Sequence, residues 1–299
     1  MRDYALILRY ALEHPWAMMP EMGPVVAEIL ARHVAGHALS AEEIQAHVGQ
    51  ARHPVGRVQG DVAVLPVFGI TVPRGNMLTD VSGATSLEVV GKMVRALAAD
   101  DATGAIVLDV DSPGGDVAGV TEFAAEVRRA RDQKPVIAVA NHLMASSAYW
   151  AGASATEVVA SPSAQTGSIG VFAIHEDMSK ALEAEGVTST VISAGKHKVE
   201  GNHFGPLDDE ARATIQAKVD ESMAQFVADV AKGRGVSASA VRSDYGEGRA
   251  VSSSQALAAG MIDRIATLDE TIARLAGRTR QRADAGRRSR RAQRAMIGA

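Results

Sequence analysis

"GAIVLDVDSPGGDV", residues 104–117, decides how this chain folds. Its first part, GAIVLDVD at 104–111, is an almost unbroken apolar run of the kind that suits a strand covered on both faces. Pro113, Gly114 and Gly115 end the run, and VAGVTEFAAEVRRAR at 117–131 resumes with helical spacing. A buried strand, a glycine turn and a helix make one unit of a parallel sheet, because parallel neighbours need a crossover between them.

Outward from this unit the same rhythm repeats. VAVLPVFGI (62–70) predicts a strand and SLEVVGKMVRALAAD (86–100) a helix on its N-terminal side. On the other side come strands at PVIAVAN (135–141), TEVVAS (156–161), SIGVFAI (168–174) and TSTVIS (188–193), with helix MSKALEAEG before the last. From 208 a long amphipathic helix runs to Gly233 and Gly235, and shorter helices follow at 237–243, 253–260 and 268–276. The expected class is α/β.

The flanks differ from this body. Residues 1–55 read as a helical preface: DYALILRYAL, PVVAEILARHV, and SAEEIQAHV, where Ser40 and Glu43 have capping-box spacing. HPVGRVQG (53–60) reads as a linker, 56–277 as the main domain, and 278–299 as a tail. That tail has eight Arg against one Asp, a net +7, which leaves −11 on the rest of a chain whose total is −4. Such a run is ordinarily a solvated segment, or else an electrostatic tether to an acidic partner.

Several chemistries are excluded at once. With no cysteine there is no disulfide, thiolate metal site or Cys nucleophile. The nine histidines show no HExxH or paired metal spacing, and neither a Walker pattern nor GxGxxG is present. No window reaches the ~18 uninterrupted apolar residues of a membrane span. Asp3 and Glu13 break the apolar start, which reads as an amphipathic helix rather than a signal peptide, so a soluble, cytoplasmic protein is expected.

Parallel sheets place their sites at the carboxyl ends of strands, where loops converge. One such end is the glycine turn. The N–H groups of Gly114 and Gly115 suit a developing oxyanion, although an ordinary strand-to-helix turn explains the same residues. A second end is NHLMASSAYW (141–150), where Ser146 and Ser147 open a helix and serve either as caps or as a nucleophile. A serine hydroxyl needs a base. His142 lies four residues before Ser146 but nothing aims it at the hydroxyl; Lys196 and Lys198, in ISAGKHKVEGNHFGPL (192–207), are the other candidates. Burial makes a lysine a base at neutral pH, whereas a solvent-facing one stays protonated.

Four blocks together carry a resemblance: LDVDSPGGDV, MASSAYWAGASATEVVASPSAQTGSIGV, AGKHKVEGNHFGPLDDEAR and GRAVSSSQALAAGMIDRI. In this order, across Val62 to Ile265, they resemble the signature blocks of the signal peptide peptidase A family of serine peptidases. EHPWAMMPEMGPVVAEIL resembles the preface of its phage and prophage branch, the head maturation (prohead) proteases. The resemblance implies a Clp protease/crotonase-like superhelix and a Ser-Lys dyad. The family's A-S-x-x-Y block falls on Ala145 to Tyr149, which makes Ser146 the nucleophile. Its G-x-x-K block falls on Gly195 to Lys198, which makes Lys198 the base.

The same resemblance implies oxyanion donors from the backbone N–H of Gly114 or Gly115 and of Ser147, with no metal and no cofactor. It implies a homo-oligomer acting on polypeptides bound as extended strands with small apolar residues near the cut. With Ser146 and Lys198 52 positions apart in one polypeptide, each protomer would carry both members of the dyad. The phage-like preface points to capsid scaffolding protein as substrate, capsid or portal proteins as partners, and the host cytoplasm or procapsid as location. On that reading the Arg-rich tail is a docking element or the vestige of a scaffold extension. Three alternatives remain: a peptidase degrading signal peptide remnants, a crotonase-fold acyl-CoA-binding protein in which the serines are caps, and an assembly protein without turnover. CoA affinity and indifference to serine-directed reagents mark the second.

Overall fold

Apolar residues alternate between two cores across every central strand, which is what buries both faces of the main sheet. The structure is a computed structural model describing residues 15–22, 57–75 and 84–277. In chain order its elements are β1 (Trp16–Met18), β2 (Arg57–Gln59), β3 (Val62–Phe68), β4 (Thr71–Val72), β5 (Thr85–Ser86), α1 (Leu87–Ala99), β6 (Ala105–Ser112), β7 (Gly114–Asp116), α2 (Val120–Arg131) and β8 (Val136–Ala145). Then follow α3 (Ser147–Gly152), β9 (Glu157–Ala160), β10 (Gln165–Gly167), α4 (Ser179–Ala184), α5 (Asp209–Arg234), α6 (Ala238–Asp244), β11 (Ala250–Ser252), α7 (Ser253–Ala258), β12 (Arg264–Ile265) and helix α8 over 268–277.

The main sheet runs β11-β10-β8-β6-β3-β2, with β9 also on β8 and β12 beyond it. All pairings are parallel except β2–β3 and β10–β11. Leu65, Val67, Ile106, Leu108, Val110, Ala138 and Ala140 face the helices α1, α2, α3 and α5. Their sequence neighbours Val64, Val107, Ile137 and Val139 face Leu268, Ile272 and Leu275 of α8. Strand periodicity of two thus gives each side chain a dry face, as the apolar runs predict.

Strand β8 is where the sheet divides. Its first half, Ile137 to Ala140, pairs with β9, and its last three residues, Leu143 to Ala145, pair with β10. The second pairing carries β8 four residues past its expected end at 141 and delivers the chain at Ser146. A smaller sheet, β1-β7-β4-β5, stands beside that point.

Four local expectations are corrected. Trp16–Met18, within the region expected to be helical, forms β1; the three helices expected at 3–12, 24–34 and 40–48 lie outside the described residues, as does the tail. Arg57–Gln59, expected in a linker, pairs with β3. SIGVFAI is not a strand: the strand lies before it, at Gln165–Gly167, and Ser168 turns the chain with a φ of 52°. TSTVIS forms no strand either, and Ile192 is 93% exposed. Its β-branched residues have the propensity but, among the described residues, no neighbouring strand to pair with.

Candidate active site

Ser146 is held on a strained backbone at the junction of β8 and α3. Its φ of 55° and ψ of −121° lie outside the basins that ordinary side chains prefer. Backbone bonds fix it from both sides: its N–H donates to Gly167 O at 2.7 Å, and its carbonyl accepts from Trp150 N–H at 2.8 Å. Packing behind α3 makes that position rigid. Trp150 stacks on Phe226 of α5 with 4.5 Å between ring centroids and donates its indole N–H to Asp229 Oδ2 at 2.8 Å. Tyr149 donates to Met261 O at 2.8 Å, and burial pushes its phenol well above the usual range.

The two serines have different surroundings. Ser147 Oγ shares a 2.7 Å hydrogen bond with Thr71 Oγ1 of β4, both side chains being buried. Ser146 is also fully buried, and its Oγ has no hydrogen-bond partner. A buried hydroxyl left unpaired costs on the order of 1–3 kcal/mol, so such groups need a reason.

The two glycines, expected in a strand-to-helix turn, open strand β7 instead and lie directly against this hydroxyl. A methyl group added at Gly114, whose φ is +95°, would sit 2.8 Å from Cβ of Ser146; one at Gly115 would sit 1.9 Å from Thr71 O. Neither position has room for a side chain. The Gly114 N–H donates to Ser112 Oγ at 3.2 Å. Gly115 stands opposite Ala17 in the antiparallel β1–β7 pair. Met19 N–H to Pro113 O (2.9 Å) and Val117 N–H to Pro15 O (3.4 Å) flank that position. Hydrogen-bonded pairs alternate along such a ladder, so the Gly115 N–H faces the Ala17 carbonyl oxygen.

The candidate bases are elsewhere. His142 is exposed on β8, 3.4 Å from Asp111. Lys196 is exposed and bonds to Glu210 at 2.8 Å. Lys198 is also exposed, in a turn closed by its N–H donating to Gly195 O at 3.2 Å. Within one chain, therefore, no hydrogen bond joins the Ser146 hydroxyl to Lys198, the pair that the family resemblance implies. Every residue from 183 to 198 is exposed, including Val187, Val191 and Ile192. His197, Glu200 and Glu210 are near enough to one another to share an ion, at an exposed spot where Glu210 is already engaged by Lys196.

A family model described as Peptidase family S49 matches residues 128–282, just over half of the chain. The chain belongs to peptidase family S49. The S49 match takes in Ser146 and the 195–198 block and begins after the glycine turn. Among curated relatives, the chain is 34% identical to capsid assembly protease C of Escherichia phage lambda over 80% of its own length and 56% of that protein. It is 29% identical to head-tail preconnector protein GP5 of Enterobacteria phage P21, over 92% of its length and 58% of the relative. The S49 chain therefore spans under three fifths of these two proteins. Among solved structures, a ClpP1 mutant from Listeria monocytogenes matches 68% of this chain and 91% of its own, with 14% identity and a TM-score of 0.39.

Two features at the site escaped the sequence. No periodicity marks a three-residue strand such as β1, and the tie between Ser147 and Thr71 joins residues 76 positions apart. Only the small Ala17 between Trp16 and Met18 hinted that this segment approaches a backbone closely.

Proposed function

We propose that the chain is a serine endopeptidase with Ser146 as nucleophile and Lys198 as base. The observation that carries this reading is the buried, unpartnered Ser146 hydroxyl on strained backbone, against the two glycines of β7, which have no room for side chains. Neutral Lys198 takes the Oγ proton, Oγ bonds to a peptide carbonyl carbon, and the C–N bond breaks as the ammonium returns its proton to the leaving amine. Water, activated by the same lysine, then releases the acyl group as a carboxylate. The Gly115 and Ser147 N–H groups hold the oxyanion, the substrate carbonyl taking the place of the Ala17 carbonyl that Gly115 faces; the Gly114 N–H is bonded to Ser112 within its own segment.

Lys198 needs a partner copy or a rearrangement to reach Ser146. The exposed apolar residues of 183–198 supply the surface for it, since packing them on a second copy buries the arm and desolvates its lysine. On this reading the active form is a homo-oligomer and the free chain is inert.

The phage relatives make capsid scaffold or another head polypeptide the favoured substrate, with capsid or portal proteins as partners, in the host cytoplasm or procapsid. No helix among the described residues is long and apolar enough to cross a membrane. Co-expression with neighbouring head proteins, read by mass spectrometry, tests the proposal: new termini that vanish with Ser146→Ala are expected. Cleavage that persists in Ser146→Ala overturns it.

A further inference from the structure

We propose that strand β1 is a built-in occupant of the substrate groove, which shields Ser146 until an incoming polypeptide displaces it. This rests on the peptidase reading for the identity of the groove, while the occupancy itself stands on geometry.

Both edges of β1 are bonded like those of a strand inserted between two others. On one side Ala17 pairs with Gly115 of β7. On the other, Trp16 and Phe172 exchange backbone bonds, Trp16 N–H to Phe172 O at 2.8 Å and Phe172 N–H to Trp16 O at 3.0 Å. Remove β1, and a slot one strand wide opens between the glycine strand and residue 172, with the edge of β7 on one side and the N–H and C=O of Phe172 on the other. An extended polypeptide fills such a slot by strand addition, through main-chain bonds that do not depend on sequence.

The register aims β1 at the nucleophile. The methyl position at Gly114 that is 2.8 Å from Cβ of Ser146 is also 2.3 Å from Ala17 O and 3.0 Å from Met18 Cα. One carbonyl of β1 therefore stands beside Ser146 with the Gly115 N–H facing its oxygen, the position a substrate carbonyl has to take for attack. Ala17 is 0% exposed, so nothing larger fits there without movement. Trp16 and Met18 pack with Ile70, Val72, Ala84 and Phe172 in a small cluster separate from the two cores of the main sheet. The strand can therefore leave without opening the body of the fold. As part of the same chain it competes at an effective concentration on the order of millimolar, so only a substrate that adds favourable side-chain contacts or is itself concentrated displaces it.

The test uses the full chain carrying Ser146→Ala, so that no peptide is consumed, with and without Ala17→Asp, which puts a charge where none can be solvated. The probe is a fluorescent peptide with the sequence of Pro15–Met22. Expected are at least tenfold faster amide exchange at 16–18 and at least tenfold tighter peptide binding in the Ala17→Asp chain. Trp16→Gly, which removes the apolar anchor instead, gives the same pair of changes and guards against a misfolded first variant. Equal peptide affinity with and without Ala17→Asp overturns the proposal, as does faster exchange without a gain in binding. Unchanged exchange in both variants overturns it too, by showing β1 to be fixed. None of these readouts needs catalysis: if the Ser146→Ala chains bind as expected while the chain with Ser146 intact hydrolyses no polypeptide, the peptidase reading alone is refuted.

Discussion

Ser147 and Thr71 share one buried hydrogen bond of 2.7 Å, which ties the helix after the nucleophile to the small sheet beside the glycine turn. A hydroxyl so engaged is a poor attacker, while the neighbouring Ser146 hydroxyl is unpartnered. Ser146→Ala is expected to abolish both peptide hydrolysis and labelling by a fluorophosphonate. Ser147→Ala leaves Thr71 without its partner, costs about 1–3 kcal/mol of stability, and keeps the label. Fluorophosphonate labelling followed by peptide mapping checks this; a label on Ser147 reverses the assignment.

Lys198 and Lys196 are two residues apart and both exposed in one chain, yet Lys196 is already bonded to Glu210. Lys198→Ala is expected to remove hydrolysis at least a thousandfold, and Lys196→Ala to change it only a few-fold. Ile192→Asp, on the exposed arm, should lower the assembled mass in sedimentation velocity and reduce activity in parallel. Full activity in a chain that sediments as a monomer sinks the idea that assembly delivers the base.

Much of the body was legible because its signals are local and periodic. The apolar runs of β3, β6 and β8 and the helices α1, α2 and α5 lie within a few residues of where the sequence puts them. What failed was pairing. TSTVIS has strand propensity without a neighbour among the described residues, SIGVFAI has it but opens on Ser168, which turns the chain, and Trp16–Met18 has only Trp16 in its favour but two waiting edges. Sheet membership depends on partners distant in sequence, and propensity carries no information about them. At the site, the serines and the two glycines were readable from their position at strand ends, whereas the unpartnered state of the Ser146 hydroxyl and the exposure of Lys198 were not.

Trp150 links the nucleophile's helix to α5, and its contacts are of two separable kinds. Trp150→Phe keeps a ring against Phe226 but removes the N–H that Asp229 accepts; Asp229 retains Gln225 at 3.3 Å and Arg128 at 3.2 Å. The expected loss is about 1–3 kcal/mol. Trp150→Ala also empties a fully buried site and should cost about 3–5 kcal/mol. If the helix positions Ser146, the Phe variant lowers kcat at a temperature where it remains folded. An unchanged kcat would reduce Trp150 to a stability residue.

Asp263 connects β9 to the end of α5 and gives the fold an acid limit. Burial pushes its carboxyl up, but hydrogen bonds from the Arg234 guanidinium (2.7 Å) and the Val158 N–H (2.7 Å) outweigh this and hold it below the usual carboxylate range. A carboxyl with a lowered folded-state pKa stabilises above its unfolded value, near 3.9, and that contribution disappears as pH falls through the folded value. Melting temperatures of the parent chain should therefore be flat near neutrality and fall below about pH 4. Asp263→Asn removes the ionisable group and is expected to melt lower at pH 7, with the gap to the parent chain narrowing as the pH drops. Parallel melting curves across that window would show that the Arg234–Asp263 pair contributes nothing to the acid limit.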